Sequence, residues 1–436
     1  MKQYTENILP DALTGAIFAV EGIRDAVTIL NGPTGCKFYH SAISDTQYIR
    51  NKSYDPQSFP QAYYFGQPRV PCTWLDDQDY IYGSEKKLTQ LIQICVNQKN
   101  AFIAVINSPG AALIGDDITA ILDKTAPETP HIAIENTGYS KTFMEGYNQA
   151  LKKVLKVLCK QQTRIEHQTI NLIGFNIYQK YYDQNIVEIK RLLALCKIKV
   201  ISTIAAGDDC KTLSQAGHAA LNVVVFEEYG LALAEQLKVQ LGTPLMVLEA
   251  GPPIGFDATE KMIFQICARL KSDPQSALTC VGQGRAHAYL FLARYASLIG
   301  GPKGNLFSIK AEASMAFVLN HFLQEYLGMI PAAIELIEGS SPHFRNKLKD
   351  DLRHKGCEFV LNKKVNATKT QIVFADGSTI AQLKLQEKND ATLKTCGIEI
   401  ALPTLGYLDI VPKTLFGEKG TLFILENIMN GLRFLT

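Results

Sequence analysis

No two of the ten cysteines in this 436-residue chain stand two residues apart. Cys36, Cys72, Cys95, Cys159, Cys196, Cys210, Cys267, Cys280, Cys357 and Cys396 are scattered singly. That distribution excludes a zinc ribbon and, in a chain this long, argues against a disulfide framework. Most isolated cysteines are small buried hydrophobes. Any metal site must draw its ligands from distant segments or from two chains. No uninterrupted apolar run reaches about 18 residues, so no membrane span is expected. The opening Met1-Lys2-Gln3-Tyr4-Thr5-Glu6 is polar, so neither a secretory signal nor a location outside the cytoplasm is expected. There is no GxxxxGK[ST] loop, so the usual cradle for ATP phosphates is missing, and no HxxxH or HExxH spacing for a zinc hydrolase. Neither sign of charge prevails: 44 basic and 42 acidic residues leave a formal charge of +2. With no basic run and no interleaved arginines and aromatics, neither nucleic acid nor a membrane surface is an expected partner.

What is present is ordinary globular material, 47% hydrophobic and 20% charged, enough for several cores. Strand-like runs alternate with helical patterns. Ala101–Ile106 is a continuous apolar run of the kind found in buried parallel strands, and it ends in the turn Asn107-Ser108-Pro109-Gly110. Gly115-Asp116-Asp117 then precedes a helix over 118–123, with an Asp placed to cap it. A second unit opens at Asn171–Phe175 and continues through 199–204 and 221–225. A third opens near Asn305–Ile309 and passes through a helix over 312–327 to a strand over 333–337. Such repetition predicts an α/β protein of parallel sheets with right-handed crossovers. Three units are expected: residues 1–165 joined by about 400–436, then 166–285, then 286–399. The Gly-rich Gly282-x-Gly284 and Gly300-Gly301-Pro302 follow no strand in a GxGxxG frame, so a dinucleotide fingerprint is not read there.

Six segments in order resemble the nitrogenase component 1 superfamily. They are Leu13–Val27 running into Asn31-Gly32-Pro33-Thr34-Gly35-Cys36; Asp79–Leu88, similar to a strand-to-helix turn at Gly83; Leu113–Ile118; Thr137-Gly138-Tyr139-Ser140 with Gly146-Tyr147; Gly242-Thr243-Pro244 with Gly251–Thr259; and Pro403 to Gly420. The resemblance covers nearly the whole chain. It implies three Rossmann-like parallel-sheet domains around a central cleft, with the C-terminal segment returning to the first domain. It also implies a homodimer or a heterodimer with a related subunit, and a separate ATP-hydrolysing iron protein that delivers electrons to a small-molecule or tetrapyrrole substrate.

Cys36 is the leading ligand candidate. Gly32 and Gly35 leave a tight, uncovered backbone before it, across which a thiolate and neighbouring N–H groups can approach an inorganic cluster. The bland alternative is a packed cysteine in a structural turn. The superfamily's cluster-bearing members use three cysteines per subunit, and here two of those positions hold Asp11 and Ser108-Pro109. Asp11 is either an oxygen ligand or the N-cap of the helix over 12–20. Cys72 is either a strand cysteine or a second ligand. A homodimer offering Cys36 and Cys72 from each chain supplies four thiolates, the set for one [4Fe–4S] cluster. The cysteine that holds the large cofactor of true nitrogenase falls at Phe226, so no FeMo-type cofactor and no dinitrogen reduction are expected. Glu227, Glu228 and Tyr229 are candidates to bind or protonate a substrate, or else form a solvated helix N-terminus. Arg285 and His287, read near a helix start, are candidates for anion binding or acid–base work, or are structural. The rival functions are a metal-cluster or ligand carrier, as in cofactor-assembly scaffolds, and a cluster-free structural half of a heterodimer.

Overall fold

The computed structural model describes residues 10–33, 35–36, 70–138, 141–162, 164–299, 301–389, 394–401 and 409–435. Thr34, Tyr139, Ser140 and Pro403 of the motifs above lie outside the described residues.

Three parallel sheets make the frame. The first contains β1 (Ala26–Asn31), β2 (Phe102–Asn107) and β3 (His131–Ile134), in the order β1-β2-β3. The second has β4 (Glu166–Ile173), β5 (Lys199–Ser202), β6 (Ala219–Val224) and β7 (Leu245–Val247), ordered β5-β4-β6-β7. The third has β8 (Leu306–Ala311), β9 (Ile330–Leu336), β10 (Ile372–Asp376) and β11 (Cys396–Ala401), ordered β11-β10-β8-β9. Every pairing between these strands is parallel. Both faces of β1 and β2 are buried along their full length, which explains why the sequence of β2 reads as a continuous apolar run.

The helices are α1 (Ala12–Glu21), α2 (Asp77–Tyr82), α3 (Glu85–Asn97), α4 (Ile118–Thr125), α5 (Phe143–Leu158), α6 (Tyr182–Leu195), α7 (Cys210–Ser214), α8 (Glu227–Leu241), α9 (Phe256–Leu270), α10 (Gln275–Ile299), α11 (Ala313–His321), α12 (Pro342–His354), α13 (Gly377–Asn389) and α14 (Gly417–Leu435). Three features differ from the sequence expectation. Asp79–Tyr82 does not enter Gly83 as a strand. Asp76 caps α2 by accepting from the Gln78 and Asp79 N–H groups, and Asp79 returns the bond to the Asp76 N–H, so a local capping box makes the segment helical. The helix expected over 312–327 is α11 followed by a π-helical turn, Phe322–Tyr326. Finally, α14 packs on α6, α9 and α10 and against β10 and β11, so the C-terminal segment seats between the second and third units where the first was expected. Ile424, Leu425, Ile428 and Leu432 form its buried stripe.

Helix α1 is buried over all of its residues and crosses α5 at backbone contact. A Cβ on Gly15 would lie 2.0 Å from the Phe143 carbonyl oxygen, and one on Gly146 would lie 1.9 Å from that of Ala12. Beyond this crossing the first and second units and the C-terminal segment meet around aromatic rings: Phe143 stands 5.1 Å from Tyr178 and 6.1 Å from Tyr229, and Phe226 stands 5.8 Å from Phe416 and 5.9 Å from Phe175. A buried ion pair, Lys180 with Glu399, joins the second unit to β11, and Lys180 also reaches Asp409 at 3.1 Å.

Candidate metal centre at the strand ends of the first sheet

Ligand sites in open α/β sheets form beyond the carboxyl ends of the strands. Here β1 and β2 end in register at Asn31 and Asn107, and the Asn31 Nδ2 donates to Asn107 Oδ1 at 2.9 Å and to Ser84 Oγ at 3.2 Å. Thr73 completes this buried network. Its hydroxyl donates to Asn31 Oδ1 at 2.8 Å and accepts the Gly32 N–H at 3.0 Å. Asp116 ties in the Gly83 turn by accepting from the Ser84 N–H and hydroxyl at 2.7 and 2.6 Å. Asp117 caps α4 as expected, accepting from Ala120 N–H.

The segment 70–75 runs beside β1 as a further parallel edge. Leu30 donates to the Pro71 carbonyl, Thr73 to Leu30 and Leu75 to Gly32. That places Cys72 against the turn that carries Cys36: the Cys72 Sγ lies 3.1 Å from the Gly32 carbonyl oxygen and 3.9 Å from that of Pro33. Cys36 N–H closes the same turn onto the Pro33 carbonyl at 3.2 Å. Both thiols are half-buried. Among the described residues nothing lies within 4 Å of where a Cβ on Gly35 would stand, whereas Gly32 is required: a Cβ there would meet Ser108 Oγ at 2.7 Å. Asp11 caps α1, its Oδ1 accepting the Thr14 N–H at 2.9 Å and hydroxyl at 2.8 Å. Its charge also reaches Cys36. Burial, with a smaller contribution from the Asp11 carboxylate, pushes the Cys36 thiol above its usual range. Asp11→Asn keeps the cap, removes the charge, and is expected to speed alkylation of Cys36 at mildly alkaline pH, read by peptide mass spectrometry.

Two thiols fit half of a four-thiolate set, and the segments that follow Cys72 and β2 expose several large apolar side chains. Trp74 is 55% exposed, Ile81 70%, Tyr82 81% and Leu113 80%. Trp74 also holds a left-handed backbone, φ 56°, uncommon for a bulky residue.

The other candidates are placed differently. Phe226 precedes α8 and is 1% exposed among aromatic rings, so no donor for a FeMo-type cofactor stands there. Glu227 and Glu228 are not a solvated helix start. Glu228 accepts from the Ser314 N–H and hydroxyl, and Glu227 from the Ser341 hydroxyl, with His343 at 2.8 Å. Arg285 and His287 lie well inside α10, not at its start. Arg285 pairs with Asp257 at 3.0 Å and Glu260 at 2.8 Å and stacks on Phe256, while His287 is exposed beside Phe291. The Gly282-x-Gly284 stretch lies within α10, and Gly284 makes room there for Glu418 of α14. One grouping that sequence reading missed, His321, Glu325 and Asp351, brings its ligand atoms within 4.8 Å of one another. Lys355 already neutralises both carboxylates, at 2.7 and 2.9 Å. Its only sequence signal was the i,i+4 spacing of His321 and Glu325. Among the described residues, no helix is long and apolar enough to cross a membrane.

Three Rossmann-like parallel-sheet units, with two half-buried thiols beyond the strand ends of the first, define the class of fold. The chain belongs to the nitrogenase component 1 type oxidoreductase family, whose description matches residues 12–432. It is 24% identical over 239 residues to the nitrogenase iron-molybdenum cofactor biosynthesis protein NifE of Clostridium pasteurianum, covering 53% of this chain and 47% of that protein. It is 23% identical over 260 residues to the B component of the light-independent protochlorophyllide reductase of Prosthecochloris aestuarii, covering 59% and 45%. The nitrogenase molybdenum-iron protein alpha chain of Methanothermococcus thermolithotrophicus is 26% identical over 236 residues, 49% and 44%. The matches thus span less than half the length of these curated relatives. Among solved structures, nitrogenase Cp1 at pH 6.5 superposes with a TM-score of 0.75 at 16% identity, covering 96% of this chain and 91% of that one, a likeness of fold.

Proposed function

We propose that this chain is a nitrogenase-like reductase component that carries an iron–sulfur cluster at Cys36 and Cys72 and reduces a small molecule or tetrapyrrole other than dinitrogen. The observation that carries the reading is the meeting of Cys72 with the Cys36 turn, from positions far apart in sequence. When bound, such a cluster relays single electrons. The chain's own residues do the rest. Gly32 and Gly35 give the backbone its open approach, and the Asn31–Thr73–Asn107 network holds the turn rigid. Asp11, with one oxygen engaged in capping, is the nearest candidate for an additional oxygen ligand. Two thiols per chain suit a [4Fe–4S] cluster shared by two copies or by related subunits, and the exposed apolar residues beside them suit that pairing. Lacking a phosphate-binding loop, the chain relies on a separate ATP-hydrolysing iron protein for electrons. The units divide near residue 165 and within α10, with a cytoplasmic setting.

The test is iron and acid-labile sulfide per chain after anaerobic purification, for the wild type and Cys36→Ala. About two irons per chain, lost in the variant, support one shared four-iron cluster. Iron that is bound but passes readily to an apo-acceptor favours a carrier. No iron after anaerobic reconstitution of folded protein overturns the reading and leaves a structural subunit.

A further inference from the structure

At the junction of the three units lie two carboxyl groups with no cation in ion-pair range among the described residues. Glu228, in the first turn of α8, is 8% exposed. Its Oε1 accepts the Ser314 N–H at 2.9 Å and the Ser341 N–H at 3.4 Å, and its Oε2 accepts the Ser314 hydroxyl at 2.7 Å. Glu312 sits at the start of α11 but makes no side-chain capping bond. It is also 8% exposed, and its Oε1 accepts the Tyr229 hydroxyl at 2.6 Å. The other walls add no positive charge. From α5 come Phe143 and Tyr147, packed on the Tyr229 ring, and Asn148, which donates to the Glu228 carbonyl. The segment after β4 contributes Tyr178, and the loop before α12 contributes Ser340 and Ser341. The nearest imidazole, His343, is already bonded to Glu227. Two carboxylates cannot both be charged in such an enclosure without a large cost.

We propose that Glu312 is carried as the neutral acid, and that the Tyr229–Glu312 bond, with the Glu228 bonds to Ser314 and Ser341 beside it, is a proton-dependent latch holding the third unit against the other two. Loss of the proton adds a second buried negative charge to that of Glu228 where α8 meets the loops that follow β8 and β9, and loosens that seam. The geometry is supported by the electrostatics. Burial raises the Glu312 carboxyl above its ordinary range, the Tyr229 hydroxyl pulls it back down, and the Glu228 charge raises it further. The folded state therefore holds a proton that an unfolded chain releases. The stabilisation is complete below the ordinary carboxyl range and is lost as pH rises toward the elevated value.

Hydrogen–deuterium exchange on the full chain, corrected for intrinsic rates, tests this from mildly acidic to mildly alkaline pH. Peptides covering 226–230, 311–316 and 338–344 should open as pH rises in the wild type, and Glu312→Gln should remove that rise. Tyr229→Phe takes away the contact that favours the carboxylate, so the onset should move to higher pH. Glu228→Gln takes away the like charge, so the onset should move lower. An equal rise in Glu312→Gln, or no rise in the wild type, overturns the latch. Should Glu312→Gln not fold, the two other variants decide: opposite shifts support the latch, and shifts that are absent or in one direction overturn it.

Discussion

Gly146→Val should leave the chain largely insoluble, with any soluble fraction melting far below the wild type. The added branches at residue 146 would have to occupy the space of the Ala12 carbonyl, 1.9 Å from the new Cβ, with the Ala12 Cα and carbonyl carbon at 2.5 Å. These are backbone atoms, so no rotamer change relieves the clash. The helices must separate, and α1 has nowhere to go because Ala12, Ala16, Ile17, Phe18, Ala19 and Val20 are each 0–1% exposed. Overpacking of this kind usually costs about 1–3 kcal/mol, and a backbone collision at a helix crossing belongs at or above the top of that range. Whole-domain stability is only about 5–15 kcal/mol. Gly282→Ala is the contrasting control. Among the described residues nothing lies within 4 Å of a Cβ there, and the site is an exposed interior position of α10, so a gain of about 0.5–1 kcal/mol is expected in the melting curve.

Glu399→Ala should be the second severe lesion. The side chains of Glu399 and Lys180 are 1% and 3% exposed, and the pair spans from the segment after β4 to β11. Removing one partner of a buried pair costs about 3–5 kcal/mol, because the remaining charge is stranded. Asp409, 3.1 Å from Lys180, offsets part of this, but it also serves Lys413 and the Tyr181 hydroxyl, both at 2.8 Å. Burial alone would raise the Asp409 carboxyl, yet its bonds to Lys413, Tyr181 and Lys180 hold it below the usual range, so it is already committed. Chemical denaturation of Glu399→Ala against a Lys180→Met, Glu399→Leu double variant measures the effect. The double variant, which leaves neither charge unpaired, should recover much of the loss. Equal destabilisation in both would place the cost in packing and not in charge.

How much of this was legible before folding depends on how local each signal is. Strand β2 and the buried ends of β4 and β6 announced themselves because burial on both faces leaves little polar alternation there, whereas the exposed start of β4 was not read. Asp11 and Asp117 were readable as caps because the N–H groups they accept from lie three residues away. The turn that carries Cys36 was readable because it is contiguous in sequence. Cys72 was only half readable, since its place beside that turn is fixed by a pairing with Leu30 that no local pattern encodes. Helix α2 was misread because the capping box of Asp76 and Asp79 outweighed the strand-like Tyr80-Ile81-Tyr82. The burial of Glu228 was invisible because its partners, Ser314 and Ser341, lie 86 and 113 residues further along. Arg285 was placed near a helix start because glycines are poor helix formers, whereas Gly282 and Gly284 lie inside α10 and Gly284 admits Glu418 of α14.

The chain's single tryptophan is Trp74, two residues from Cys72 and more than half exposed on the apolar face. Indole emission from this protein therefore comes from one place, and that place is the candidate centre. Anything that covers the face will dry the indole and shift its colour, and an iron–sulfur centre seated beside it will quench it. The native chain carries its own optical gauge of assembly, read without a label and without interference from another indole.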